Sequence, residues 1–200
     1  MIAAGTRVVR SLACATLVAW TGAAVAEAAS PTGETRFPAT GKIETAFTPG
    51  DRIDNLIIAA IGAAKHEVLV NAYSFTQRRI AGALIAARRR GVTVQVIADS
   101  QQAATLPQNV LAELVKGGVE VWLDANYQAA HNKVVIVDAD TARATTITGS
   151  YNFTVAAQWH NAENVVILRD NQDVARAYRD NWLRLKARAA PWPGTKGDSR

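Results

Sequence analysis

The sequence has little of the residue types that build disulfides and metal clusters. Its 200 residues include one cysteine, one methionine and three histidines. A single cysteine, Cys14, excludes an internal disulfide and any site made of several cysteines. Glycine and proline are not in excess, and no repeat occurs at the periods of solenoid proteins. With 49% hydrophobic and 20% charged residues, the composition is that of a globular chain with a real core.

Residues 1–26 have the pattern of a secretory signal peptide. Arg7 and Arg10 give a positive start, an apolar run follows, and Ala24–Ala26 forms a small-x-small cleavage site. Because the apolar run is short for a membrane span, we expect export to the bacterial periplasm or exterior, with no integral membrane segment left after cleavage. A buried N-terminal helix is the alternative. Cleavage would remove Cys14 and lower the formal net charge of +5 to about +3.

Strand and helix signals alternate along residues 41–190, which we interpret as one domain. This alternation predicts an α/β fold with a mixed, mainly parallel sheet flanked by helices on both faces. Residues 27–40 are interpreted as a leader segment and 191–200 as a polar tail. The predicted strands cover 42–47, 67–75, 92–98, 119–123, 131–138, 143–148 and 164–168, and the predicted helices cover 51–64, 77–90, 107–116 and 173–190.

The most informative stretch is residues 131–138, His-Asn-Lys-Val-Val-Ile-Val-Asp. Residues two apart in a strand face the same side, so His131 and Lys133 are expected to project together. The ammonium would neutralise a phosphate oxygen and disfavour protonation of the imidazole, so that a neutral His131 can attack phosphorus. A lone His-x-Lys pair is more often two solvated surface residues without a function, so its interpretation depends on the residues that follow it.

A second polar group begins at Gly149. Glycine permits close backbone approach, and Ser150 and Asn152 offer neutral donors to charge that develops in a transition state. Glu163 could accept a hydrogen bond from the other imidazole nitrogen and hold its tautomer, as a carboxylate does in serine hydrolases.

Together, the His-x-Lys-x4-Asp pattern at 131–138 and the Gly-Ser-x-Asn pattern at 149–152 resemble the signature of the phospholipase D superfamily. The resemblance runs over roughly residues 40–188 and is closest to the short bacterial endonucleases of that superfamily. Asp138 and Gly149 would be structural members of the motif. Ten residues separate them, which is more than is usual in the family, so we expect a longer hairpin turn after Asp138.

The resemblance implies a role for each motif residue. It implies a phospholipase D-like catalytic domain in which His131 forms a covalent phosphohistidine. Lys133, Ser150 and Asn152 would bind the phosphate oxygens, and Glu163 would orient His131. No metal or cofactor enters this scheme, and the sequence has no metal-binding pattern of the Glu-x-x-His kind.

The sequence contains one His-x-Lys motif, since His66 and His160 are followed by other patterns. Displacement at phosphorus needs a nucleophile on one side and an acid at the leaving oxygen on the other. The superfamily obtains its second histidine from a duplicated half. The resemblance therefore implies a homodimer with a shared active site, in which two copies of His131 flank one phosphate.

The substrate is left open between two classes of phosphodiester. Positive charge and the lack of inserted apolar loops favour a non-specific endonuclease acting on DNA, and possibly RNA. Arg88 and Arg89 are candidates for a phosphate-binding rim, and Tyr151 for stacking on a base. Asp99, at the end of a predicted strand, is a further candidate neighbour of the site. The alternatives are a phospholipase D that hydrolyses phosphatidylcholine-type lipids and, more remotely, an inactive nucleic-acid-binding module.

Overall fold

The structure of the chain is a computed structural model that describes residues 34–193. The predicted signal peptide, residues 27–33 of the leader and residues 194–200 of the tail lie outside the described residues. Of the separate unit that ends at residue 36, only Glu34–Arg36 are described, and the Arg36 guanidinium donates to the Glu34 carboxylate at 2.9 Å. The fold described below is that of residues 37–193.

Eight strands form one sheet in the order β1-β7-β6-β5-β2-β3-β4-β8. The predicted mixed sheet is confirmed, but the expectation of a mainly parallel one is wrong. Among the strand pairs of residues 37–193, only β2–β3 and β3–β4 are parallel. These strands are joined by helical crossovers, whereas β5, β6 and β7 are adjacent antiparallel neighbours. The strands are β1 (Lys42–Thr48), β2 (Glu67–Ala72), β3 (Thr93–Asp99), β4 (Glu120–Asp124), β5 (Lys133–Val137), β6 (Thr145–Gly149), β7 (Glu163–Arg169) and β8 (Ala190–Pro191).

Helices cover both faces of the sheet, as the sequence predicts. One face carries α1, α2 and α4 over the larger core cluster, and the opposite face is covered by α6 through Ala175 and Trp182. The short helices α3 and α5 were not predicted. The helices are α1 (Ile53–Ala63), α2 (Arg78–Arg89), α3 (Ser100–Thr105), α4 (Leu111–Lys116), α5 (Val155–Trp159) and α6 (Gln172–Lys186).

Strand β2 shows how the apolar pattern builds these two layers. Val68 and Val70 point into the core beneath α1 and α2, whereas Leu69 belongs to the cluster beneath α6. The indole of Trp182 donates to the carbonyl of Val70 at 3.0 Å, which satisfies its one polar atom inside the second layer. The strand is buried on both faces and is therefore a rigid support for whatever lies at its ends.

One end of the sheet gathers the polar residues that the sequence singles out. The carboxyl ends of β2, β3 and β6 meet the amino ends of β5 and β7 there, because β5 and β7 run in the opposite direction. At β8 the fold continues past the predicted domain end at residue 190: Ala190 pairs with β4, and the Trp192 amide donates to the Val121 carbonyl at 2.8 Å. Among residues 34–193, no helix is long and apolar enough to cross a membrane.

Candidate active site

His131 and Lys133 are in direct contact at the amino end of β5. The Lys133 ammonium donates to Nδ1 of His131 at 3.0 Å and to the His131 carbonyl at 2.8 Å. Lys133 is 6% exposed and paired in register with Ala72 of β2, while His131 precedes the strand and is exposed. As expected, the two side chains project to the same side. The Lys133 ammonium is buried and fixed, and the His131 imidazole is accessible.

Burial changes the proton affinity of this cation. Desolvation lowers the pKa of Lys133 below its ordinary value, and the negative charge of Glu163 offsets part of that effect. A buried ammonium without a carboxylate in hydrogen-bond contact holds its charge at a cost, which an anionic phosphate would relieve. The site is thus electrostatically prepared for an anion.

Tyr73 is a site residue that the sequence did not single out. Its ring lies 4.4 Å from the His131 ring, centroid to centroid, at an interplanar angle of 57°. The Lys133 ammonium lies 4.8 Å from the centroid of the same ring. Tyr73 follows β2 directly, and its amide donates to the carbonyl of Asn132 at 3.1 Å. The sequence feature that could have identified Tyr73 is its position at the carboxyl end of a buried strand.

Ser150, Asn152 and Glu163 lie together where β6 ends and β7 begins. The Ser150 hydroxyl donates to the Glu163 carboxylate at 2.5 Å, and the Asn161 amide donates to the same carboxylate at 2.9 Å. The expected hydrogen bond from His131 to Glu163 is not present; the carboxylate orients Ser150 instead. Oδ1 of Asn152 is buried and has no hydrogen-bond partner among residues 34–193. A buried acceptor without a partner at this place is suited to a ligand that carries a hydrogen-bond donor.

Gly149 allows the two strands to approach closely. A Cβ at this position would lie 2.2 Å from the carbonyl oxygen of Asn164 and 2.8 Å from the Cα of Val165. The Ser150 amide donates to that same Asn164 carbonyl at 3.1 Å. A glycine is required because any side chain would push β7, and with it Glu163, away from Ser150.

Asp138 lies at the opposite end of β5 from Lys133. Five residues of extended chain place it about 17 Å away. It is 6% exposed, and its carboxylate accepts from the amides of Lys65, His66 and Glu67 at 2.7–2.9 Å. This arrangement agrees with a structural role for the motif aspartate. The residues between Asp138 and Thr145 form the expected longer turn of the β5–β6 hairpin.

Asp99 connects two loops that surround His131. One carboxylate oxygen caps α3 by accepting from the Gln102 amide at 2.7 Å, and the other accepts from the Ala130 amide at 2.8 Å. Gln102 in turn accepts from the Ser74 hydroxyl, next to Tyr73. Asp99 is 2% exposed, so it acts as an anchor for the chain leading into His131 and not as a group that touches a substrate.

Tyr151 does not have the stacking role expected of it, because it is 1% exposed. Its hydroxyl donates to the Gln158 side chain at 3.3 Å, and burial raises its pKa. Gln158 also accepts from the amide of Asp54, a buried carboxylate that pairs with Arg52 and Arg79. This network fixes the backbone on which Ser150 and Asn152 sit.

Arg88 and Arg89 are not brought to the site. They lie in the last turn of α2, whose first residue, Arg78, is near the site, and twelve helical residues span about 17 Å. The Arg88 side chain donates to the Gly118 carbonyl at the opposite end of the sheet. Within residues 34–193, no three His, Cys, Asp or Glu side chains form a group that could hold a metal ion.

Comparisons with known proteins agree with this geometry. The sequence profile of the family described as cardiolipin synthase, PLD-like domain, matches residues 57–185. A phospholipase D of Rickettsia bellii is 39% identical over 149 residues, covering 74% of this chain and 70% of that protein. A mitochondrial cardiolipin hydrolase of Xenopus laevis is 32% identical over 130 residues, covering 65% and 59% of the two chains.

A solved structure of a related protein has the same fold. The crystal structure of Nuc, a phospholipase D family member from Salmonella typhimurium, superposes with a TM-score of 0.70 and 31% sequence identity. The superposition covers 76% of this chain and 97% of that one, so nearly the whole of Nuc has a counterpart here. With the profile match over more than half of its length and the His-x-Lys geometry at β5, the chain belongs to the phospholipase D superfamily of phosphodiesterases.

Proposed function

We propose that this protein hydrolyses phosphodiester bonds of nucleic acid as a non-specific endonuclease, through a phosphohistidine at His131 and without a metal. The observation that carries the proposal is the 3.0 Å contact between the Lys133 ammonium and the His131 ring. Asn152 and Ser150, on the neighbouring loop, add neutral hydrogen-bonding groups. A cation, an imidazole and uncharged polar groups converging on one exposed point suit a phosphate better than a neutral substrate.

In the first step, His131 attacks phosphorus. The Lys133 ammonium moves from Nδ1 onto a phosphate oxygen, so that Nδ1 can hold the imidazole proton while Nε2 presents its lone pair. A P–N bond forms and the P–O bond to the leaving group breaks. The Ser150 hydroxyl turns from the Glu163 carboxylate to donate to one phosphate oxygen, and the side-chain NH₂ group of Asn152 donates to another, which stabilises the negative charge as it develops.

The leaving oxygen needs a proton from the opposite side. His66 lies beside the motif aspartate at the opposite end of β5, and the ring of His160, which follows α5, makes no hydrogen bond or ring contact with a motif residue among residues 34–193. The donor in this proposal is His131 of the partner subunit in a twofold dimer. The same imidazole then takes a proton from water as that water attacks phosphorus and the P–N bond breaks. Exposure of His131 and Ser150 leaves the site open to such a partner.

The charged and aromatic rim of the site supports nucleic acid as the substrate. Arg52 and Arg79 share one buried carboxylate, Asp54, so this cluster keeps a net positive charge. The Arg52 guanidinium lies 4.8 Å from the ring centroid of Trp159, which is 53% exposed. An exposed indole beside guanidinium groups can stack on a base while the cations attract the backbone.

Phospholipase D activity is the second candidate. It is favoured by the similarity to proteins called phospholipase D and cardiolipin hydrolase. Phe47, which is 57% exposed, and Trp159 would let this end of the molecule rest on a lipid surface.

One assay series separates these functions. The protein is incubated, with a chelator present, with plasmid DNA, single-stranded DNA, RNA and vesicles of phosphatidylcholine or cardiolipin. Cleavage of nucleic acid that disappears in His131→Ala is the expected result, and acid-labile phosphorylation of His131 should be trapped with a slow substrate. Release of lipid headgroups without cleavage of nucleic acid would reject the endonuclease in favour of the phospholipase.

A mixing experiment tests the shared active site. Wild-type and His131→Ala subunits are unfolded together and refolded in equal amounts. If each site needs both histidines, only pairs of wild-type subunits are active, and activity falls to about one quarter of that of the same total protein. Activity of one half, or a fully active monomer by light scattering at assay concentration, would reject the dimeric site.

Export is a further part of the proposal, and it rests on the pattern of residues 1–26. N-terminal sequencing of protein recovered from the periplasm or medium of a bacterial culture should begin at or near Glu27. A chain that retains Met1 in the cytoplasm would reject it.

A further inference from the structure

A groove of about 600 Å³ is lined by segments that follow two residues of the site, Tyr73 and Asn152, in the chain. One wall is formed by the segment from Ser74 to Arg78, which comes after Tyr73 in the chain. The other wall is formed by the segment from Thr154 to Ala156, which comes after Asn152. Amides of Thr76 and Gln77 both donate to the Phe153 carbonyl at 2.9 Å, which joins the two walls at the floor. Because Thr154 is two residues from Asn152, the Cα atoms of these two residues lie within about 7 Å of each other.

Gln77 is an unusual residue in this groove. It is 5% exposed, lines the groove and precedes α2, but its side chain does not cap that helix. No group among residues 34–193 hydrogen-bonds its side-chain amide. Its amide atoms are not fully enclosed, since among residues 34–193 the buried side-chain atoms without a partner are Oγ1 of Thr146 and Oδ1 of Asn152. The Gln77 amide can therefore reach a ligand in the groove, and it would lose hydrogen bonds to water if an apolar group covered it.

The rest of the lining is uncharged. Leu106, Val155 and Ala156 present aliphatic groups, and Gln108 adds a second amide near the opening. The one charged side chain, Arg78, is held at the rim by an ion pair with Glu113 at 3.1 Å. Apart from Arg78, the lining offers no cation to a second phosphate. It suits a flat group with apolar faces and a hydrogen-bonding edge.

These features separate a base from an acyl chain. A methylene chain in the groove would bury the Gln77 amide against carbon and leave its donors and acceptor unsatisfied. A nucleobase places its faces against Leu106 and Val155 and its edge against the amide, which can donate and accept at once, as glutamine does with adenine. The base can enter the groove only if it leaves the stack, which an unpaired base can do without breaking a base pair.

We propose that this groove binds an unpaired nucleobase adjacent to the scissile phosphate, with Gln77 reading its edge. This inference rests on the proposed nuclease function and makes it more specific. It implies that a base contributes to the rate at a position where no phosphate contact is made, and that base identity changes that contribution.

The test uses short single-stranded oligonucleotides in which one linkage is a cleavable phosphodiester and the others are methylphosphonates. Matched substrates carry a base or an abasic residue on either side of that linkage. The wild-type protein should cleave the base-containing substrate about tenfold faster on one of the two sides, the scale expected for base contacts. The measured quantity is the ratio of kcat/KM for the two substrates, because a folding defect lowers both values equally.

Gln77→Leu should reduce this ratio about fivefold, and Gln77→Glu should shift the preference among bases toward cytosine, which presents a donor. The matched control is Gln101→Leu, on the exposed side of α3 and outside the groove, which should keep the wild-type ratio. Cleavage with a ratio that Gln77→Leu leaves unchanged would overturn the base site alone. Cleavage of lipid vesicles with no cleavage of any oligonucleotide would overturn the proposed function and the base site together.

Discussion

The close contact at Gly149 leads to a quantitative prediction for Gly149→Ala. The added Cβ would lie 2.2 Å from the Asn164 carbonyl oxygen, where ordinary contact begins at 3.4 Å, so the backbones of β6 and β7 must separate by about 1 Å. β7 cannot simply yield, because β1 holds it on the other side through seven register pairs. We expect a loss of about 1–3 kcal/mol in the free energy of unfolding.

The same displacement moves the catalytic groups. Glu163 and Asn164 begin β7 and hold the Ser150 hydroxyl, so a shift of about 1 Å carries their partners away from the phosphate. Misplacement on this scale typically costs about 10²-fold in rate. We therefore expect Gly149→Ala to lower kcat by about two orders of magnitude at substrate saturation.

The assay is hydrolysis of the chromogenic diester bis(para-nitrophenyl) phosphate, together with urea unfolding analysed by linear extrapolation. The matched control is Gly82→Ala in α2, where nothing lies within 4 Å of the added Cβ. That change should leave kcat as it is and stabilise the helix by about 0.5–1 kcal/mol. A Gly149→Ala protein with wild-type kcat and wild-type stability would refute the reasoning from strand approach.

Three further predictions concern buried charges near the site. Lys133→Met should lower kcat by about 10²–10³. Wild-type activity should fall as the pH rises through the lowered pKa of Lys133, which is below the usual 10.5. Wild-type stability should rise over that same pH interval, because the folded state binds this proton less tightly than the unfolded state does, and urea unfolding of Lys133→Met should not show this rise. Burial alone would raise the pKa of Asp54, but Arg52 and Arg79 lower it below the usual 3.8, so the stability that Asp54 contributes should be lost as the pH falls through that lowered pKa. Asp54→Asn should lower the free energy of unfolding by about 1–3 kcal/mol at neutral pH. In thermal unfolding its stability should depend less on pH in the acid range than that of the wild type, and an unchanged acid dependence would contradict this prediction. Asp99→Ala should lower kcat about 10–100-fold and leave the substrate KM little changed, because the chain before His131 loses its anchor. Kinetics on the chromogenic diester up to saturation would test this prediction.

Strand direction is the part of the fold that local sequence patterns did not predict. The apolar runs of β5, β6 and β7 predict buried strands equally well in either orientation. Direction depends on where the chain goes between strands: helical crossovers make β2, β3 and β4 parallel, while the turn after β5 contains no helix and makes a hairpin. The prediction of a mainly parallel sheet included the crossovers and the β5–β6 hairpin, but it missed the antiparallel pairs β1–β7, β2–β5 and β6–β7.

Residues that are distant in sequence decide the details of the site. Tyr73 reaches His131 because Ala72 and Lys133 are partners in an antiparallel pair, a register that neither segment contains by itself. Glu163 bonds Ser150 because β6 and β7 approach closely at Gly149. Tyr151 sits inside the motif, but the packing of α5 and the bond to Gln158 bury it.

The sequence by itself determined the superfamily to which this protein belongs. The two-residue spacing of His131 and Lys133 makes them neighbours in any extended chain, and the polar pattern at 149–152 completes a phosphodiesterase motif wherever the sheet places it. The tertiary structure alone decided which groups surround that pair, and it moved Arg88 and Arg89 to the opposite end of the sheet. The physical reason is range: backbone periodicity acts over two to four residues, whereas contacts across a sheet depend on register and strand direction, which the whole chain sets.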